Sequence, residues 1–194
     1  MHTSPDIDLY VDHTSGTKSS RPQWDLSQRA DHLLGVNQFF TDLTAYAHAH
    51  PDCALARWLG EARARTYCRH NARPDGLGVW REHAREITFC LEHDTGTESL
   101  SQLTAKLDGY GQLAMLGQEP IVLFWLHSPR RETNLRKLLR HRRGTVPKVA
   151  TANRHTAAEH GLGSADALWR RPHHDDNRPP QRLADLAPTP PPWR

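Results

Sequence analysis

The chain of 194 residues is long enough for one domain with a full hydrophobic core and too short for two. Its 37% hydrophobic residues, 24% charged residues and net charge of +3 favour a compact, polar domain with loose ends and exclude a largely disordered chain. Three separated cysteines and the lack of any long apolar stretch argue against a disulfide framework, a structural zinc site, secretion and a membrane span, so we expect a cytoplasmic protein.

Composition along the chain predicts three segments. Residues 1–30 are rich in Ser, Thr, Asp and Pro without periodicity, which predicts a flexible N-terminal tail. Residues 171–194 are rich in Pro and Arg, which predicts a second flexible tail. The domain itself is therefore expected over residues 31–170.

Hydrophobic spacing predicts the elements of the first half of this domain. Apolar residues three and four apart indicate an amphipathic helix over 35–49 and a shorter helix over 54–65. Residues 76–81 and 86–92 are typical of an antiparallel pair of strands, because the second run alternates apolar and polar side chains. Helical spacing returns over 97–116, and Gly117 follows as a stop signal.

The second half predicts alternating strands and helices. Residues 120–126 are almost continuously apolar, as in a strand that helices bury on both faces. A helix is expected over 130–142, a strand over 146–151 and a last helix over 152–160. The order of elements predicts an α/β domain with a mixed sheet flanked by helices.

Acidic residues and one lysine lie where the predicted strands and the following helix meet. In a hairpin, Asp75 at the start of the first strand would neighbour Glu92 at the end of the second, and Asp94 would share the face of Glu92. Carboxylates of this kind suit Mg²⁺ or Mn²⁺, and Lys106 on the next helix could reach a scissile phosphate. The alternative is that these residues have no catalytic role. Asp75 would then belong to a turn, Glu92 and Asp94 would mark the end of a strand that meets water, and Lys106 would be a solvated side chain.

A basic stretch follows the predicted apolar strand. Between residues 130 and 154 the chain holds nine Arg and Lys side chains against Glu132 as the only acid. Four of these cations lie on the predicted helix and are candidates for contact with DNA phosphates: Arg130, Arg131, Lys137 and Arg140. A solvated helix face is the alternative.

The order Asp75, Glu92, Asp94 and Lys106 resembles the PD-(D/E)xK nuclease superfamily, whose core is a helix, a three-stranded antiparallel meander, a helix and a further strand. The resemblance implies metal-dependent cleavage of DNA, with Asp75, Glu92 and Asp94 as metal ligands and Lys106 as the catalytic lysine. The chain departs from the pattern in one place, since Asp94 stands where the motif has lysine.

Longer stretches resemble the replication-relaxation family of actinobacterial proteins associated with plasmids and mobile elements. The resemblance covers residues 32–162 and rests on the stretches HLLGVNQFF, RPDGLGVW, FCLEHDTGTESLSQLTAKLDGY, VLFWLHSPRRETNLRKLL and ATANRHTAAEHGL. It implies a role on plasmid DNA, together with replication or mobilisation proteins.

Family members typically carry a winged-helix segment before the first of these stretches. Only about thirty residues precede it here, so we expect a shortened member. Three functions stay open: a metal-dependent nuclease or nickase, a non-catalytic DNA-binding accessory protein, and an inactive remnant.

Overall fold

The computed structural model describes residues 23–142, 147–174 and 177–188, and the side chains from residue 26 onward within them. The elements in chain order are α1 (Gln23–Ala49), β1 (Cys53–Gly60), α2 (Glu61–Tyr67), β2 (Gly76–Glu82), β3 (Arg85–His93), α3 (Leu100–Ala105), α4 (Leu107–Met115), β4 (Ile121–Leu126), α5 (Pro129–His141), β5 (Val149–Asn153), α6 (Arg154–Glu159) and a 3₁₀ helix (Leu183–Leu186). None of the described helices is both long and apolar enough to cross a membrane.

The five strands form one sheet in the order β1-β2-β3-β4-β5. The first three strands make an antiparallel meander, and β4 and β5 then add in parallel to β3. Helices link the parallel strands, as such crossovers require. This architecture confirms the predicted α/β fold with a mixed sheet flanked by helices.

Each face of the sheet carries its own hydrophobic core. On one face, α1 and the segment after β5 pack on the sheet through Phe40, Leu43 and Trp169. On the other face, α4 and α5 pack through Leu113 and Leu135. The predicted burial of β4 on both faces is confirmed, since all six of its residues are buried.

The hairpin predicted from alternation is confirmed, but the helix predicted over 54–65 is wrong. Residues 53–60 form the edge strand β1, and only the following seven residues are helical. The prediction failed because it rested on hydrophobic spacing alone, and the spacing of Leu55, Trp58 and Leu59 also fits a helix. Pairing with β2 decided the outcome, and Trp58 stacks on Phe40 of α1 with ring centroids 4.8 Å apart.

Three other boundaries differ from the prediction. The first helix starts at Gln23, twelve residues earlier than predicted. The single helix predicted over 97–116 is broken at Lys106 into α3 and α4. The fifth strand runs from Val149 to Asn153, and residues 143–146 lie outside the described part of the chain.

The C-terminal segment contributes to the core as far as it is described, which differs from the flexible tail predicted over 171–194. Leu183 and Leu186 are at most 2% exposed. Arg182 donates to Glu82 Oε1 at 2.9 Å and to Tyr46 Oη at 2.7 Å, which ties the segment to β2 and α1. The burial of two leucines and the hydrogen bonds of Arg182 hold this segment on the domain, although its Pro- and Arg-rich composition predicted flexibility.

Gly109 permits a close approach between α4 and the loop before β2. A β-carbon at this position would lie 2.0 Å from the main-chain oxygen of Asn71, a contact that backbone atoms cannot relieve cheaply. We expect Gly109→Ala to lower the free energy of unfolding in urea by about 2–3 kcal/mol. Gly60→Ala is the control, since nothing lies within 4 Å of its β-carbon, and its expected effect is below about 1 kcal/mol. Equal effects of the two substitutions would contradict this account.

Candidate active site

Asp75, the residue directly before β2, neighbours Glu92 of β3, as the hairpin predicted. The register of β2 and β3 pairs Gly76 with Leu91, so each acid lies one residue beyond this pair. The main-chain N–H of Asp75 donates to the oxygen of Leu91 at 2.9 Å. The N–H of His93 donates to Asp75 Oδ2 at 2.7 Å, which holds this carboxylate against the end of β3.

Glu92 is buried, and both of its carboxylate oxygens have partners. Lys106 Nζ donates to Oε2 at 3.1 Å and Tyr110 Oη donates to Oε1 at 2.6 Å. Burial, followed by the negative charge of Asp75, raises the pKa of Glu92 to about 7 even though both donors lower it. A carboxyl group with a pKa near neutrality is able to change its charge under physiological conditions.

The break between α3 and α4 places Lys106 over this pair. Its ammonium also lies 3.2 Å from Glu98 Oε2, so it bridges a buried and a half-exposed carboxylate. Burial alone would lower the pKa of Lys106, but the charges of Glu92 and Asp75 outweigh it and raise this pKa. Lys106 is therefore a fixed positive charge beside two acids.

Asp94 is bound by Arg131 of α5, and it lines the same cavity as Asp75. Arg131 binds it in a bidentate manner, with Nε donating to Oδ2 at 2.5 Å and Nη2 to Oδ1 at 2.7 Å. Burial alone would raise the pKa of Asp94, but the Arg131 guanidinium outweighs burial and lowers it. Within residues 23–142, 147–174 and 177–188, no group of three or more His, Cys, Asp or Glu side chains is arranged to hold a metal ion.

Two histidines that the sequence analysis did not single out complete the acidic side of the site. His32 Nε2 of α1 lies 3.1 Å from Asp75 Oδ1, and the His32 ring meets the His93 ring edge-on with centroids 5.3 Å apart. The hydrogen bond that His32 Nε2 donates to the Asp75 carboxylate raises the pKa of His32. Burial, helped by the charge of Arg154, lowers the pKa of His93 to about 4, so this ring is neutral.

Some of these residues left a signal in the sequence. His32 lies one turn before Gly35, so extending the first predicted helix by one turn would have placed it on the buried stripe. Tyr110 lies four residues after Lys106, on the same helical face. Arg154 could not be identified from the sequence, because its approach to His93 depends on how β5 pairs with β4.

A cavity of about 260 Å³ opens over Asp75 and Lys106. Its lining includes Asp75, Asp94, Lys106, His32 and Glu98, whereas Glu92 is buried and does not line it. Mg²⁺ commonly takes one or two protein carboxylates, keeps several waters and meets substrate phosphates. Asp75 in the cavity and Glu92 next to it fit such an ion, although the described residues include no group of three acids arranged to hold one. The donor chemistry therefore suits a hydrated divalent cation.

The four cations predicted to bind DNA have different surroundings on α5. Arg130 and Lys137 are exposed and lie seven residues apart, hence on one face. Arg131 is engaged with Asp94, and Arg140 Nε donates to the oxygen of Pro172 at 2.7 Å. Half of the predicted set therefore also contributes to the internal structure.

Comparison with known proteins gives one match. A search of curated proteins found no match, and neither did a search of solved structures. The family model described as replication-relaxation matches residues 8–120, which is more than half of the chain. The match includes β1, β2, β3 and the helices that carry Lys106 and Tyr110. The protein therefore belongs to the replication-relaxation family.

Proposed function

We propose that the protein cleaves phosphodiester bonds of plasmid DNA at the site formed by Asp75, Glu92 and Lys106. The observation that carries this proposal is the contact of 3.1 Å between Lys106 Nζ and Glu92 Oε2, next to Asp75 at the start of the neighbouring strand. Asp75 and the Lys106 ammonium line one cavity, with the Glu92 carboxylate bound to Lys106, and acids with an ammonium are groups that phosphodiester hydrolysis uses.

The order of elements supports the proposal. A helix, a three-stranded antiparallel meander, two short helices and a parallel strand occur in this order, as in the core of the PD-(D/E)xK superfamily, with the short helix α2 inserted between β1 and β2. The lysine comes from the helix after the meander rather than from the position of Asp94. Asp94 instead fixes Arg131, so we assign it a positioning role rather than the role of a third metal ligand.

Each remaining residue has a defined role in this proposal. A bound Mg²⁺ or Mn²⁺ would supply an activated water and offset charge on the scissile phosphate. Asp75 and Glu92 would hold the ion through their carboxylates. Lys106 places a fixed positive charge where the phosphate enters, and Tyr110 holds the orientation of Glu92 by its hydrogen bond. His32 orients Asp75 from α1.

The test is a nicking assay with the purified full chain on supercoiled plasmid. Conversion to open circles in Mg²⁺ or Mn²⁺, and none in excess chelator, is the expected result. No conversion with either ion would reject cleavage of this substrate.

The second candidate is a DNA-binding accessory protein without catalysis. It is favoured by one observation: both oxygens of Glu92 already have protein partners. This candidate predicts DNA binding that depends on salt and is indifferent to chelator. Binding that is lost on chelation would count against it.

Both candidates need a surface that contacts DNA phosphates, and the exposed face of α5 offers one. We expect Arg130→Ala and Lys137→Ala each to weaken binding uniformly across DNA sequences and to reduce the salt slope of the binding constant by about 1. Fluorescence anisotropy over a salt series measures this. Arg57→Ala is the control, since Arg57 is exposed on β1 at the opposite edge of the sheet. An unchanged slope in both α5 variants would place the DNA elsewhere.

A further inference from the structure

A second, larger cleft adjoins the candidate active site on the other face of the sheet. Its volume is about 550 Å³, within the range typical of small-molecule sites. Helices α1 and α6 form its walls, above the ends of β3 and β4. His93 and Thr95 line both this cleft and the cavity over the acids, so the two spaces adjoin along one segment of chain.

The cleft combines an apolar floor with a polar rim. Phe39 and Trp125 line its base and are almost fully buried. Asp31, Gln38 and Asp42 follow one another along the cleft-facing side of α1, and Gln38 Nε2 donates to Asp42 Oδ1 at 2.7 Å. The two carboxylates repel a phosphate backbone but accept hydrogen bonds from amino groups. This combination suits a heterocyclic base rather than a strand of phosphates.

Arg154 lies where the cleft meets the active site. Its guanidinium contacts His93 Nε2 and donates through Nη2 to the oxygen of Asp94 at 3.1 Å. Arg154 also lines the cleft and is only partly buried, so part of the guanidinium remains accessible. A fixed cation at this point suits the phosphate that joins a base in the cleft to the bond being cleaved.

We propose that the cleft between α1 and α6 binds one unpaired nucleobase of the DNA strand whose neighbouring phosphate lies at Lys106. The base lies between α1 and α6 over the apolar floor, its amino group donates to the rim of α1, and Arg154 contacts the connecting phosphate. Enzymes that do chemistry on a base take it out of the stack and bind it in a pocket. The inference rests on the proposed function, because it takes DNA cleavage at Asp75 and Glu92 as its reference point.

The inference is tested by a substitution that fills the cleft and leaves Asp75 and Glu92 unchanged. Ala158 lines the cleft and is exposed, so Ala158→Phe occupies the space without disturbing the core. Ala30→Phe is the matched control, an exposed alanine of α1 outside the cleft. The probe is a single-stranded oligonucleotide with one 2-aminopurine, titrated in chelator so that it stays intact. Thermal melting checks that both variants are folded.

We expect the wild type to change the fluorescence of the probe and Ala158→Phe to bind about tenfold more weakly, since stacking of one base is worth this much or more. Ala30→Phe should bind like the wild type. Equal affinity of Ala158→Phe and the wild type, or no binding by either, would overturn the inference. So would tight binding of a strand with an abasic site at the probe position, or displacement of the strand by an equal concentration of dAMP.

The experiments distinguish failure of the proposed DNA cleavage from failure of the proposed base site. If the wild type nicks plasmid but Ala158→Phe binds the probe normally, only the base site is rejected. If no ion supports nicking but Ala158→Phe loses the probe, cleavage is rejected and the base site stands.

Discussion

Asp75→Asn is expected to slow nicking of supercoiled plasmid by about 10²-fold or more, because it removes one of the two carboxylates at the end of the hairpin. The asparagine oxygen can still accept the N–H of His93, so the local fold should be kept. Initial rates in Mg²⁺ and in Mn²⁺, measured by gel electrophoresis, provide the comparison.

Asp52→Asn is the matched control for this substitution. Asp52 is exposed and lies at the opposite end of the sheet, beside His83. Its nicking rate should equal that of the wild type. Equal rates for Asp75→Asn and the wild type would remove Asp75 from the site and leave any nicking activity to another part of the molecule or to a contaminant.

The stability of the metal-free protein is expected to fall as pH rises from about 4.5 to about 7, through Glu92. In the folded chain the pKa of Glu92 is about 7, raised by burial and by Asp75 from its ordinary value of 4.5. Between these values the folded protein holds a proton that the unfolded chain has released. The contribution is therefore present below pH 4.5 and is lost by pH 7, and it amounts to roughly 3 kcal/mol.

Glu92→Gln isolates this contribution, because glutamine resembles the protonated acid and does not titrate. Free energies of unfolding from urea melts in chelator, taken at intervals from pH 4.5 to 8, should show the wild type losing stability relative to Glu92→Gln. Two parallel curves would mean that Glu92 titrates at its ordinary pKa. A wild type that gains stability relative to the variant would mean that Lys106 and Tyr110 outweigh burial.

The same carboxyl group links stability to the proposed site. The charge of Asp75 raises the cost of ionising Glu92, and Lys106 offsets part of that cost. A protein selected only for stability gains little from such an arrangement, since apolar residues would fill the same volume at lower cost. Strongly shifted groups that converge on a cavity are typical of functional sites.

Much of the fold was predictable from local patterns. Alternation along residues 86–92 identified β3, continuous apolarity identified β4, and the positions of Asp75 and Glu92 at adjoining strand ends followed from hairpin geometry. Lys106 was placed near them by helical spacing. These features depend on residues close together in the chain, where side-chain periodicity carries the information.

The sequence by itself determined the mixed α/β fold, the pairing of Asp75 with Glu92 and membership of the replication-relaxation family. Only the tertiary structure decided that residues 53–60 form a strand and that Arg131 forms an ion pair with Asp94. It also decided that His32 and Arg154 lie at the site. Each of these depends on contacts between distant parts of the chain. Local periodicity does not encode such contacts, because several residue types satisfy a helix or strand pattern equally well until packing and ion pairing select among them.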